Sequence, residues 1–131
     1  MKGRQLLHNA IQTPDGTILV SRHRHDYVSH LDANGETYIL DGGLDYVRTS
    51  VNVVPAISFA VYSDDDFEKV RCFFSRGGRG KDGKQPLKYF ALKDIDDEWL
   101  ENIIQYEEFH RPGNIFLEFY YKEKEFRKSL A

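Results

Sequence analysis

TPDGTILVS (13–21) and DANGETYIL (32–40) decide how the first half of this chain folds. Each joins a turn, with a Gly free to take φ > 0, to a run rich in β-branched or aromatic residues. AIQ before the first turn and DYVSHL before the second have the same strand character. Two hairpins are therefore predicted, roughly 9–22 around the first turn and 26–40 around the second. PDG-TILV and ANG-ETYIL also make a short internal repeat of a turn leading into a strand.

Outward from these turns, DGG (41–43) ends the second hairpin. In the stretch after it, Val47, Val51, Val53 and Val54 suit a strand, while Leu44, Val47 and Arg48 suit one helical turn; Pro55 punctuates it. AISFAVYS (56–63) reads as a strand. The hydrophobic period then changes. Ser63 or Asp64 caps a helix to about Ser75, with Phe67, Val70, Phe73 and Phe74 on one face. Asp64, Asp65 and Asp66 suit its N-terminal end, where carboxylates meet the positive pole. SRGGRGKDGKQP (75–86) stops that helix and is the clearest loop, and LKYFALKD (87–94) is a short strand or an extended lead-in.

Asp96 is the N-cap of the next helix, with Ile95 and Leu100 at hydrophobic-staple positions. Trp99, Ile103, Ile104 and Tyr106 or Glu107 carry it to about His110, and RPGN (111–114) breaks it. In NIFLEFYYKEKEFRKSLA (114–131), IFLEFYY alone suits a strand equally, but the Lys/Glu alternation after it favours a helix. Phe116, Phe119, Tyr120 and Phe126 would face inward; adjacent Tyr120 and Tyr121 leave a homodimer face as the alternative to core. The expected class is α+β: a ribbon-like β-hairpin unit over 1–54 packed with a unit of about three helices and one or two short strands over 55–131, forming one compact domain.

With 131 residues, 40% of them hydrophobic, the chain can bury a core. Eighteen Lys+Arg against 21 Asp+Glu leave a net charge of −3, which is not the global charge of a protein that coats nucleic acid, though a local basic patch stays open. The one cysteine, Cys72, excludes an intrachain disulfide and a cysteine-based zinc cage. Beside Phe73 on a helix face, it reads as a small buried apolar residue. The N-terminus lacks the features of a signal peptide and no run approaches a membrane span, so the expected compartment is cytoplasmic.

Three of the five histidines, His23, His25 and His30, fall in RHRHDYVSHLD (22–32). On a strand His23 and His25 share a face, and His30 would need a bend or bulge to join them. Imidazole nitrogens bind zinc and Asp26 is placed to orient a ligand, so a metal site and a catalytic His/Asp pair are both readings. The spacing is not diagnostic of either, and a polar turn is the favoured reading. Asp41, Asp45 and Arg48 fit an ion-pair and turn network. Together with His23, His25 and Asp26 they form one candidate polar site.

GRGKDGK (78–84) approaches a phosphate-binding P-loop but fails where Gln85 replaces the metal-binding hydroxyl and Pro86 follows. What remains is a Gly-rich loop bearing Arg76, Arg79, Lys81, Lys84 and Lys88, suited to gripping a phosphate or nucleotide. A solvated connector is the plainer reading of the same charges.

HDYV (25–28) and LDGGLDYVR (40–48), with GKDGKQPLKY (80–89) and LKDIDDE (92–98), resemble an uncharacterised family of small phage and bacterial proteins. The resemblance covers most of the chain. It implies an N-terminal unit like a zinc ribbon, whose two knuckles carry cysteines before a glycine. This sequence has Asp15-Gly16 and Asn34-Gly35 at those places, which are self-sufficient turn pairs. The implied ribbon is therefore one without its zinc, with His30 near a former ligand position. No metal and no cofactor is expected.

The first functional expectation is a non-catalytic phage accessory protein that binds a host protein or sequesters a small anionic ligand, in host takeover or anti-defence. The second is a nucleotide or nucleic-acid binder using the 76–88 loop with Tyr27, Tyr46 and Tyr89. The third is a metal-dependent hydrolase using His23, His25 and Asp26. The fold-level likeness to nucleic-acid-binding ribbons is analogy alone.

Overall fold

The structure, a computed structural model, describes residues 4–80 and 82–130. It is α+β, as expected, and falls into two compact units, Met1–Phe74 and Ser75–Ala131. The sequence places the boundary twenty residues earlier, after 54. It lies later because the short strands beyond Pro55 pair back onto the first strand of the chain.

In the first unit, β1 (Leu6–Gln12) pairs antiparallel with β2 (Ile18–Ser21), and β3 (Val28–Leu31) with β4 (Thr37–Asp41). Both predicted hairpins are present, the first beginning at Leu6 rather than near residue 9. The turns repeat each other in detail. Thr13 N donates to Thr17 O and Gly16 N to Thr13 O, each at 2.9 Å; Asp32 N donates to Glu36 O and Gly35 N to Asp32 O, also at 2.9 Å. Gly16 and Gly35 both have positive φ, 92° and 86°, which is what each turn demands of a residue without Cβ. The weak repeat in the sequence is thus a repeat of backbone geometry.

The segment Arg48–Thr49 forms β5 at the edge of β4, so the ambiguous stretch after DGG resolves as a turn and a short strand. AISFAVYS is broken into β6 (Ile57–Ser58) and β7 (Val61–Tyr62), both on β1. The register shifts between Leu6 and His8, a bulge that lets one strand accept two short partners. Strand alternation buries Leu19 of β2 and Tyr38 and Leu40 of β4, which close with Ile11 into one cluster. The Tyr38 hydroxyl donates to Val54 O, and the Glu36 carboxylate accepts from Val53 N (2.8 Å) and Val54 N (3.1 Å). These bonds hold Glu36 below the usual carboxylate range. They leave Val51 and Val53 on the surface, 101% and 91% exposed.

Helix α1 (Phe67–Phe73) is shorter than expected. Its N-cap is Asp66, because Asp65 instead accepts from Tyr62 N at 2.8 Å and closes the turn before it. Val70 is buried, whereas Phe73 and Cys72 are exposed, which corrects the buried reading of the cysteine. Seven residues make only two turns, so one side of the helix suffices to cover its support.

The second unit opens with a correction. Ser75–Gly78 is not loop but strand β8, antiparallel to β9 (Lys88–Ala91). A 3-10 turn (Leu92–Asp94) leads to α2 (Asp97–His110), and α3 (Ile115–Leu130) returns along it. Asp96 caps α2 as predicted, its carboxylate accepting from Trp99 N at 2.8 Å. Leu100, Ile103 and Ile104 of α2 and Leu117, Phe119 and Tyr120 of α3 are buried. Tyr120 is core, while its neighbour Tyr121 is exposed.

Two carboxylates are buried with them. Glu107 receives Arg76 at 2.9 Å, and Glu123 receives Arg127 at 2.6 Å. Arg127 also reaches Asp97 (2.7 Å) and the carbonyls of Leu92 (3.0 Å) and Ile95 (2.5 Å). It thereby ties α3 to the start of α2 and uses the planar fork that lysine lacks. Among the described residues, no helix is long and apolar enough to cross a membrane.

Candidate functional site

The first part of the histidine-rich stretch, 22–27, is a turn, and His30 lies beyond it on β3. Asp26 N donates to His23 O at 2.9 Å, and the Asp26 carboxylate accepts from Arg22 N at 2.8 Å. His23 and His25 stand exposed on it. The side chain of Asp26 is therefore occupied in closing the turn rather than orienting an imidazole. Gly43 passes so close that an added Cβ would lie 2.1 Å from the His23 carbonyl carbon.

The DGGLDYVR segment is likewise architectural. Asn9 Nδ2 lies 2.9 Å from Gly43 O and 3.2 Å from each of Asp41 O and Tyr46 O, so three carbonyls converge on one buried amide. Gly43 N donates to Ser21 Oγ (2.9 Å), which itself donates to Asp26 O (2.7 Å). Asp41 accepts from Gly42 N, and Asp45 forms an exposed pair with Arg24 at 3.5 Å. Arg48 is exposed opposite Asp41 in the β4–β5 register. The six residues proposed as a polar site are therefore not gathered into one. Each serves a turn or lies on the surface, because the chain reverses direction twice within them.

The structure gathers a different set. Asp15 of the first turn meets His30 and Asp32 of the second hairpin, with one ligand atom from each lying within 4.8 Å of the others. His30 Nε2 is 3.0 Å from Asp15 Oδ2 and 3.6 Å from Asp32 Oδ1. Ala33 N donates to Asp15 Oδ2 at 3.0 Å, and Asp15 N donates to Asp32 Oδ1 at 3.2 Å. Hydrogen bonds from Thr17 and then His30 hold the Asp15 carboxyl far below its ordinary range. These are the two turns that the resemblance equates with metal-binding knuckles. Asp15 Oδ1 also accepts from the Thr13 hydroxyl, the Thr17 hydroxyl and Thr17 N, so this carboxylate is tied into its own turn. The cluster acts as a clasp that joins the hairpin tips.

The 76–88 segment divides. Arg76 leaves the proposed phosphate grip altogether, since its guanidinium is committed to Glu107 and to the Tyr120 hydroxyl at 3.3 Å. Arg79, Lys84 and Lys88 are exposed, and Lys81 lies outside the described residues. Three of the loop's backbone donors turn inward: Gln85 N to Arg79 O (2.9 Å), Gly83 N to Gly80 O (3.1 Å) and Lys84 N to Asp82 Oδ1 (3.0 Å). A phosphate cradle needs such groups aimed outward together. The segment is a β-hairpin connection instead.

Beside it lies a cleft of about 610 Å³, within the size range of small-ligand pockets. Gly77 to Gly80 form one wall, Phe90 lies across from Arg76 in the strand register, and Trp99 and Asn102 project from α2. Trp99 and Phe90 meet edge to face, with centroids 5.3 Å apart and planes at 85°. Gly78 makes this approach possible, because a Cβ there would stand 2.8 Å from Trp99 Cη2. Asp94, Asp96 and Glu98 complete the rim. The sequence reading took Trp99 only as a residue that continues the helix and missed the cleft. The legible signal was the pair Gly77-Gly78, since glycine inside a strand marks a close approach. No family model, no curated protein and no solved structure matches the chain.

Proposed function

We propose that this chain is a non-catalytic accessory protein, of the phage and bacterial kind its sequence resembles, that sequesters a small ligand in the cleft of its second unit, in the cytoplasm of the host cell. The observation that carries this reading is the cleft itself. It pairs two aromatic rings with polar groups on a strand and a helix, as small-molecule sites do. The charged groups around it support binding over turnover, because two of them hold structure. Asp96 caps α2 and Arg76 neutralises Glu107.

The test is native mass spectrometry of gently purified protein against its denatured mass. A mass excess of small-molecule size that disappears in Trp99→Ala supports the reading. A bare mass, or an excess indifferent to that substitution, rejects it. A second reading, capture of a host protein, is favoured by Val51, Val53 and Ile57, which are 101%, 91% and 61% exposed on one short segment. A pull-down from host lysate that is lost on Val51→Asp/Val53→Asp, with the cleft intact, would put this reading first.

A further inference from the structure

We infer that residues 51–57 of the first unit form the contact face of a homodimer, laid against the same face of a second copy of this chain. The contact is independent of the cleft in the second unit.

An inverted pattern of side chains is the starting point. Ser50 and Asn52 turn toward β4, where Ile39 N donates to Ser50 Oγ at 3.0 Å and Asn52 Nδ2 donates to Thr37 O at 2.9 Å. Val51 and Val53, next to them, are almost wholly exposed. Polar groups thus face the protein and apolar groups face water, the reverse of what a solvent-covered segment favours. The valines are held in this pose. The Glu36 carboxylate bonds Val53 N and Val54 N, and the Tyr38 hydroxyl bonds Val54 O. Ile57 carries the face onto the sheet. It lies opposite Gln12 in the β1–β6 register, and Ile18 lies opposite Gln12 in the β1–β2 register, so both isoleucines share one face of the sheet. Both are exposed.

Charge and composition choose the occupant. Residues 49–63 carry no charged side chain, the longest such run in a chain of which 30% is charged. A two-fold contact sets a patch against its own copy, so charges on it would meet their like. A face free of charge is the one that can meet itself. Homodimer faces are also more apolar than ordinary protein surface, whereas faces for a transient partner are not. Those faces draw their energy from Trp, Tyr and Arg, with Val under-represented. Here the anchors are aliphatic.

Sedimentation velocity of the full chain would be run from about 1 to 100 μM, a range that brackets the weaker specific interfaces. The parent should reach twice the 15.3 kDa of one chain. Val51→Asp/Val53→Asp should stay at one chain mass with an unchanged far-ultraviolet circular dichroism spectrum. Val51→Ser/Val53→Ser adds no charge and serves if the aspartates disturb folding; it should weaken the dimer at least about tenfold. A parent that stays at one chain mass throughout overturns the homodimer and leaves the face to a different partner. A dimer of parental strength in these variants overturns it too, by placing the contact elsewhere. Growth past two chains without a plateau would overturn the two-fold contact.

Discussion

Lowering the pH from 7 to 5 should weaken the first unit through one side chain, His8. It lies on β1 with its ring 5.4 Å from that of Phe73. Burial first, and the charge of Arg22 second, lower its pKa from 6.5 to about 4. The sign follows from proton counting. Between those two values the unfolded chain holds a proton that the folded chain refuses, so the contribution is fully present above 6.5 and is lost as pH falls toward 4. From pH 7 to 5 the linkage ceiling is about 2 kcal/mol; solvent reaching the open side of the ring trims this to about 1 kcal/mol. Asp15 and Glu36 do not confuse the window. Their lowered values place the loss of their contribution below the ordinary carboxylate range, as pH falls further.

Two measurements check it. Imidazole Cε1–H titration by NMR should find one histidine of the five near pH 4. Urea denaturation followed by tyrosine near-ultraviolet circular dichroism should find the loss of stability between pH 7 and 5, and His8→Phe should abolish it while keeping the ring contact. The reasoning is refuted if all five histidines titrate near 6.5, or if the Phe variant loses as much stability as the parent.

Other substitutions test the rest of the structure. Arg76→Met strands the Glu107 carboxylate beside Arg111 alone, 3.6 Å away, and should destabilise the second unit by about 2–3 kcal/mol. Adding Glu107→Leu should recover most of that loss, read from Trp99 emission in urea; a cost under about 0.5 kcal/mol for the single variant would mean that the pair is merely superficial. Gly43→Ala drives a Cβ into the backbone at His23 and should cost more than about 3 kcal/mol. Gly16→Ala meets nothing within 4 Å and should cost only about 1 kcal/mol, from its positive φ. Equal melting temperatures for these two alanines would contradict the packing described at the DGG turn.

Much of the local structure was legible in the sequence because it is set by neighbours along the chain. Turn glycines need only their own φ, so both hairpins were readable from PDG and ANG. Asp96 caps the residue three positions on, so the start of α2 was readable too. The candidate sites were read less well. RHRHDYVSHLD drew attention by composition, yet His23 and His25 point outward from a turn that Asp26 closes.

The sequence by itself determined the α+β class, the two hairpins, the cap of α2 and the helical character of the C-terminal segment, since all of these depend on contacts a few residues apart. The tertiary structure alone decided the rest. SRGG is a poor strand by propensity, but pairing with Lys88–Ala91 and the indole laid on Gly78 make it one. Arg76 looked like a free loop cation until a carboxylate 31 residues away claimed it. Asp15, His30 and Asp32 became one clasp because two turns 17 residues apart meet. Such outcomes depend on which groups desolvate together, and that depends on pairings distant along the chain.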